Sequence, residues 1–134
     1  MAEYEALTHT FDPVYNADSQ ILILGTFPSV KSRQQHFYYG HPQNRFWKVL
    51  AAVTGEQLPV SIEEKKDLLF RNHIAVWDVI HSCSIIGSSD SSIKDVVPND
   101  IAGLLKKTKI RIIAGNGHKA WELYQKSCQM QTGC

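Results

Sequence analysis

The run Gln20-Ile21-Leu22-Ile23-Leu24 reads as a continuous apolar segment and is closed by Gly25. A strand with one wet face alternates apolar and polar side chains. A strand that is apolar throughout is covered on both faces, as in a parallel sheet with helices on each side. Two further segments read alike, Ile74-Ala75-Val76-Trp77 and Ile110-Arg111-Ile112-Ile113-Ala114, and the arginine inside the latter suits an edge or partly exposed position. Helical patterns separate and follow these runs. Phe46, Val49, Leu50 and Val53 share one helical face that stops near Gly55. Ser61 with Glu64 is a capping-box signature ahead of Leu68 and Leu69. Asn99 or Asp100 can cap a third helix bearing Ile101, Leu104 and Leu105, and Ala120, Leu123, Tyr124 and Ser127 line a fourth. Strands alternating with helices predict an α/β fold of three layers, α/β/α, around a short central parallel sheet with right-handed crossovers. Periodicity stops after the fourth helix, so residues 1–134 are expected to form a single, C-terminally incomplete domain whose last strand is missing.

Composition narrows the partners more by exclusion than by signal. With 43% hydrophobic and 20% charged residues the chain can bury a core unaided, and a net charge of +1 creates no global field for nucleic acid. Any DNA contact must come from a local surface. Cys83, Cys128 and Cys134 are odd in number, widely spaced and without a CxxC pair. That pattern suits free thiols in a reducing, cytoplasmic setting rather than disulfides or zinc, with Cys83 buried beside an apolar run. Glu3 and Glu5 near the start do not fit a signal peptide, and no run approaches membrane-spanning length. Neither a dinucleotide fingerprint nor a P-loop is present, so no cofactor, no metal and no membrane partner are expected.

Sites in such sheets lie beyond the carboxyl ends of the strands. That places three segments in view: 25–44, 78–98 and 115–118. The middle one, rich in Ser and Gly, reads as a long loop. In the first, Gly25 permits a tight exit from the strand and Pro28 fixes the chain beyond it. Aromatic residues then cluster at Phe37, Tyr38 and Tyr39 between His36 and His41, and Asn44 precedes a helix carrying Arg45, Phe46 and Trp47. By spacing alone Asn44 is a helix cap or a ligand group, the tyrosines are packing or binding residues, and the histidines are surface groups or ligands.

Gly25-Thr26-Phe27-Pro28-Ser29 after an apolar strand resembles the first motif of the uracil-DNA glycosylase superfamily. Gly40-His41-Pro42-Gln43-Asn44-Arg45-Phe46-Trp47-Lys48-Val49 is similar to the matching segment of the mismatch-specific enzymes. Together with Trp77-Asp78-Val79 and Ser88-Ser89-Asp90-Ser91-Ser92-Ile93, the set most resembles the hypoxanthine (deoxyinosine) DNA glycosylase branch. The resemblance covers about residues 20–125 and implies a monofunctional enzyme that hydrolyses the N-glycosidic bond of hypoxanthine, uracil or xanthine in DNA after base flipping. It implies Asn44 as the catalytic residue, because Phe27 stands where many relatives carry an Asp or Asn that positions water. Gly25, Thr26, Phe27 and Pro28 would line the base pocket, Tyr39 would stack on the extruded base, and Asp78 would read its edge. Ser29, Lys31, His41 and Arg45 are candidates for DNA-backbone contacts. The partner is then DNA containing deaminated bases, and the protein a monomer. Nothing after Lys126 resembles the Ser/Pro-rich second motif of the superfamily. The alternative expectation is therefore a catalytically impaired homologue that only binds nucleic acid or a protein.

Overall fold

A computed structural model describes residues 4–9, 12–28, 32, 37–39, 44–86 and 89–131. The strands are β1 (Glu5–Thr8), β2 (Ile21–Gly25), β3 (Ile74–Asp78), β4 (Ile80–Ile85), β5 (Lys94–Pro98) and β6 (Ile112–Gly115). The helices are α1 (Phe46–Thr54), α2 (Ile62–Arg71), α3 (Ile101–Lys106) and α4 (His118–Gln131), and a 3₁₀ turn covers Asp90–Ser92.

The three apolar runs pair in parallel in the order β3-β2-β6, with Leu24 opposite both Trp77 and Gly115. Consecutive side chains of a strand point to opposite faces, so β2 supplies two cores at once. Ile21 and Ile23 pack on the side of Trp47, Leu50, Leu68 and Leu69 from α1 and α2. Leu22 and Leu24 pack with Ile101 and Leu104 of α3 and with Leu123 and Tyr124 of α4. Both faces are covered by helices, giving the expected three layers. β6, preceded by Arg111, lies at the edge of this sheet.

Local chemistry sets the helix ends. Gly55 closes α1 at φ 72°, a left-handed conformation that glycine adopts without steric cost. Ser61 and Glu64 complete the capping box of α2, each side chain bonded to the other's backbone N–H. At α3 the Asp100 side chain accepts from Gly103 N–H at 3.0 Å. Asn99, the other capping candidate, instead donates through its side chain to the backbone of β3 and β4.

The segment 78–98 corrects the sequence reading. It is not a long loop: β4 and β5 occupy most of it and join β1 in an antiparallel sheet ordered β1-β4-β5. The β4–β5 ladder shifts register between Ile80 and Ser82 and again between Ser82 and Ser84. Those irregularities break the period-two alternation that would have marked β4 as a strand. Ile80, Cys83 and Ile85 turn inward, and Leu7, Phe27, Ile93 and Val96 close over them as a third core.

Candidate active site

The carboxyl ends of β2, β3 and β6 are tied together by backbone bonds. Val79 N–H donates to Gly25 O at 2.9 Å, Ile80 N–H to Thr26 O at 3.2 Å, and Asn116 N–H to Leu24 O at 2.7 Å. Above this platform lies a pocket of about 160 Å³ lined by Gly25, Thr26, Phe27, Pro28, Tyr39, Asn44 and Asp78, with Ser32, Tyr38 and Asn116. Its volume is well under the roughly 300–1,000 Å³ of pockets for drug-sized ligands, which suits something as small as one base.

Asp78 ends β3 and is buried. Its Oδ2 lies 2.9 Å from His9 Nε2, and both side chains are almost wholly enclosed. Facing a carboxylate, which only accepts, Nε2 carries the proton. The backbone at Asp78 is held from the far side by Asn99, whose Nδ2 donates to Asp78 O at 2.8 Å and Ile80 O at 3.2 Å. Oδ1 stands over Gly25, 2.4 Å from where a Cβ would be, and Tyr39 Oη is 3.0 Å from the same point. A methyl group there would collide with a carboxylate already clamped by His9, so glycine is required by space at this position.

Tyr38 and Tyr39 separate in role. The Tyr38 ring is buried, and its hydroxyl donates to Asp12 O at 2.9 Å while Trp47 Nε1 donates to Tyr38 O at 3.3 Å. Tyr39 adopts φ 53°, an uncommon region for a bulky residue. Its ring stacks on Phe46 at 3.9 Å with 20° between planes, so one face is taken within the protein. Its hydroxyl is buried and makes no hydrogen bond among the described residues. Burial first, and the Asp78 charge second, hold the Tyr39 phenol well above its ordinary value. Asn116 approaches closely enough to oppose that rise without reaching bonding geometry.

Asn44 lies one residue before the N-cap position of α1, which Arg45 occupies. The Asn44 Oδ1 accepts from Phe46 N–H at 2.8 Å, which satisfies an orphan donor of the first turn of α1. The backbone donor identifies the bonded atom as the oxygen. Asn44 also lines the pocket. Arg45 follows as an exposed residue at the start of α1. Phe27 packs edge-on against His9 at 6.1 Å and contributes to the third core as well as the pocket wall.

The family model for the uracil DNA glycosylase superfamily matches residues 13–133. The chain belongs to the uracil-DNA glycosylase superfamily. That membership assigns it to the DNA glycosylases, enzymes that act on DNA. Two similar proteins are named hypoxanthine DNA glycosylase: one from Methanosarcina acetivorans, 41% identical, and one from Methanosarcina barkeri, 36% identical. Each alignment covers 84% of this chain and 72% of the relative. A solution NMR structure of a candidate uracil DNA glycosylase from Methanosarcina acetivorans superposes with a TM-score of 0.78 at 38% identity, covering 90% of this chain and 75% of that one.

Within this superfamily member, the one catalytic and six base-pocket candidates named from sequence all line the same cavity. Ser29, Lys31 and His41 fall outside the described residues. Ser32, Asn116, Asn99 and His9 line the site or bond its residues, and none is assigned to it from the sequence. Asn116 sits in the 115–118 loop that the strand-end rule had pointed to, between Gly115 and Gly117, and Gly117 takes φ 102° to make the turn. Asn99 showed only as a possible cap. His9 carried no signal at all, because it reaches Asp78 across 69 positions of chain.

Proposed function

We propose that this glycosylase removes deaminated bases from DNA, hypoxanthine first and uracil or xanthine after it, by hydrolysing the N-glycosidic bond of an extruded nucleotide. The observation that carries the reading is the convergence of Asn44, Tyr39, Asp78 and the Gly25–Pro28 turn on one base-sized pocket at the strand ends. The names of the two Methanosarcina relatives support the choice of base. A base inside a stacked duplex cannot reach such a pocket, so flipping precedes chemistry. Asp78 would accept from the ring N–H of the flipped base, and Tyr39 would line the same pocket.

Water then adds its oxygen to the anomeric carbon as the bond to the base nitrogen breaks. The bonding pair leaves with the base, which ends carrying the proton lost by the water. Donors aimed at the base lower the barrier by stabilising that developing charge. Thr26 and Phe27 can offer backbone N–H groups. Asn44 can offer Nδ2, since its oxygen is engaged at α1. Arg45, exposed at the start of α1, would contact the phosphate backbone, with Ser29, Lys31 and His41 as candidates for the same task.

The test uses duplexes holding a single inosine, uracil or xanthine, with alkali to cleave abasic sites. Asn44→Ala should lower release by about 10²-fold or more, the usual cost of one transition-state donor. It should also lose about 0.5–1.5 kcal/mol of stability with the hydrogen bond from Phe46 N–H. Asn44→Asp keeps an acceptor for Phe46 N–H but has no N–H of its own, so it should fold normally and lose release equally. Undiminished release of hypoxanthine by both variants would sink the role of Asn44. Salt-sensitive DNA binding by the wild type without any release would favour the binding-only reading.

A further inference from the structure

We propose that Tyr39 Oη and Asp78 Oδ1 act as a donor–acceptor pair that reads the chemical change made by deamination, with His9 as the residue that positions the acceptor. The inference rests on the glycosylase reading above and adds to it how the enzyme would tell a damaged base from its parent.

The two atoms converge on one spot. Each lies within 3.0 Å of the Cβ position of Gly25, and both residues line the pocket. They differ in chemistry. A carboxylate only accepts, whereas a phenol donates. Burial holds the Tyr39 phenol above its ordinary value, so it stays protonated and remains a donor at any working pH. Its hydroxyl is buried without a hydrogen-bond partner among the described residues, although its ring is fixed against Phe46 and its backbone is held in a left-handed conformation. Strained backbone and unsatisfied buried groups concentrate where a ligand supplies the missing partner.

Deamination supplies the matching edge. Adenine presents an amino donor beside a ring-nitrogen acceptor. Hypoxanthine presents a carbonyl acceptor beside a ring N–H donor. Cytosine and uracil differ in the same way. Tyr39 Oη facing the carbonyl and Asp78 Oδ1 facing the N–H satisfy every deaminated base with one geometry. With adenine or cytosine, Asp78 would instead oppose a ring-nitrogen acceptor and Tyr39 an amino donor. Guanine and thymine share the carbonyl and N–H, so the amino group of one and the methyl group of the other are the remaining distinctions.

The arrangement works only if the carboxylate cannot rotate. His9 provides that restraint, bonding Oδ2 at 2.9 Å from the end of β1. His9 N–H in turn donates to His81 O at 2.6 Å, which ties the residue to β4. His9 touches no reacting atom in this scheme; it sets which oxygen of Asp78 faces the base.

Single-turnover release should be compared on duplexes holding inosine and on duplexes holding unsubstituted purine, which lacks both the carbonyl and the ring N–H. Tyr39→Phe keeps the ring and its packing on Phe46. The preference for inosine over purine should fall by about tenfold or more, the discrimination expected from losing a hydrogen bond to a base edge. His9→Leu should lower the same preference, and His9→Gln, which retains a side-chain N–H, should restore much of it. A preference that stays within about twofold of wild type in Tyr39→Phe, with both rates moving together, overturns the pair. Equal preferences in His9→Leu and His9→Gln overturn the positioning role. If the wild type releases no base from any duplex, the glycosylase reading fails and the pair falls with it; release with unaltered preference removes the pair alone.

Discussion

Tyr38 and Tyr39 are adjacent in the chain and both line the pocket, yet the Tyr38 hydroxyl donates to Asp12 O while the Tyr39 hydroxyl makes no hydrogen bond among the described residues. Burial is the largest influence on both phenols and Asp78 the next, and both are held above the ordinary value of 10.0. The sign of the effect on stability follows from which state loses its proton first. In the unfolded chain these phenols ionise near 10.0; in the folded protein they resist. Their contribution is therefore intact below that pH and is lost as pH rises toward the folded values. Melting temperature should decline above pH 10.0, and less steeply in Tyr38→Phe or Tyr39→Phe. Thermal melts across alkaline buffers read this directly, and parallel slopes in all three proteins would refute it. At this scale the sequence was informative in part. Asn44 was legible as a dual possibility because capping and ligand binding both favour a short amide before a helix. His9 was not, since only the pairing of β1 with β4 brings it to Asp78.

Among the elements, continuous apolar runs and 3.6-residue patterns made β2, β3, β6 and all four expected helices readable, for the simple reason that their burial is regular. β4 escaped because its inward residues, Ile80, Cys83 and Ile85, are not evenly spaced once the ladder shifts. β5 escaped because its strand is largely exposed. Connections between elements also carry testable chemistry. Glu56, just after α1, bonds Arg71 and Asn72 at the end of α2. The Arg71 bond first, then the Asn72 bond, hold the Glu56 carboxyl below its ordinary value of 4.5. A depressed carboxyl contributes stability that is present above 4.5 and disappears as pH falls through the folded value. Glu56→Gln should thus melt below the wild type at neutral pH, and the two curves should merge in acid. A gap that persists in acid would assign the effect to packing rather than charge.

Across the whole molecule, security is unevenly distributed. β2 is central in its sheet, with β3 and β6 on either side, and Leu22 and Leu24 are completely buried between helical layers. Their amides should exchange with solvent only through global unfolding, whereas those of the edge strands β1 and β5 should open locally. Native-state hydrogen exchange against denaturant would show this as two families of slopes, and uniform slopes would contradict it. The contrast matters for His9. It sits directly after β1, a four-residue strand at a sheet edge, while the pocket floor it serves stands on the most secure strand of the fold. Fidelity and turnover are thereby anchored to parts of unequal thermal endurance. On warming, fraying of β1 would loosen the carboxylate before the floor gave way, and the enzyme would grow careless about which base it accepts before it grew slow.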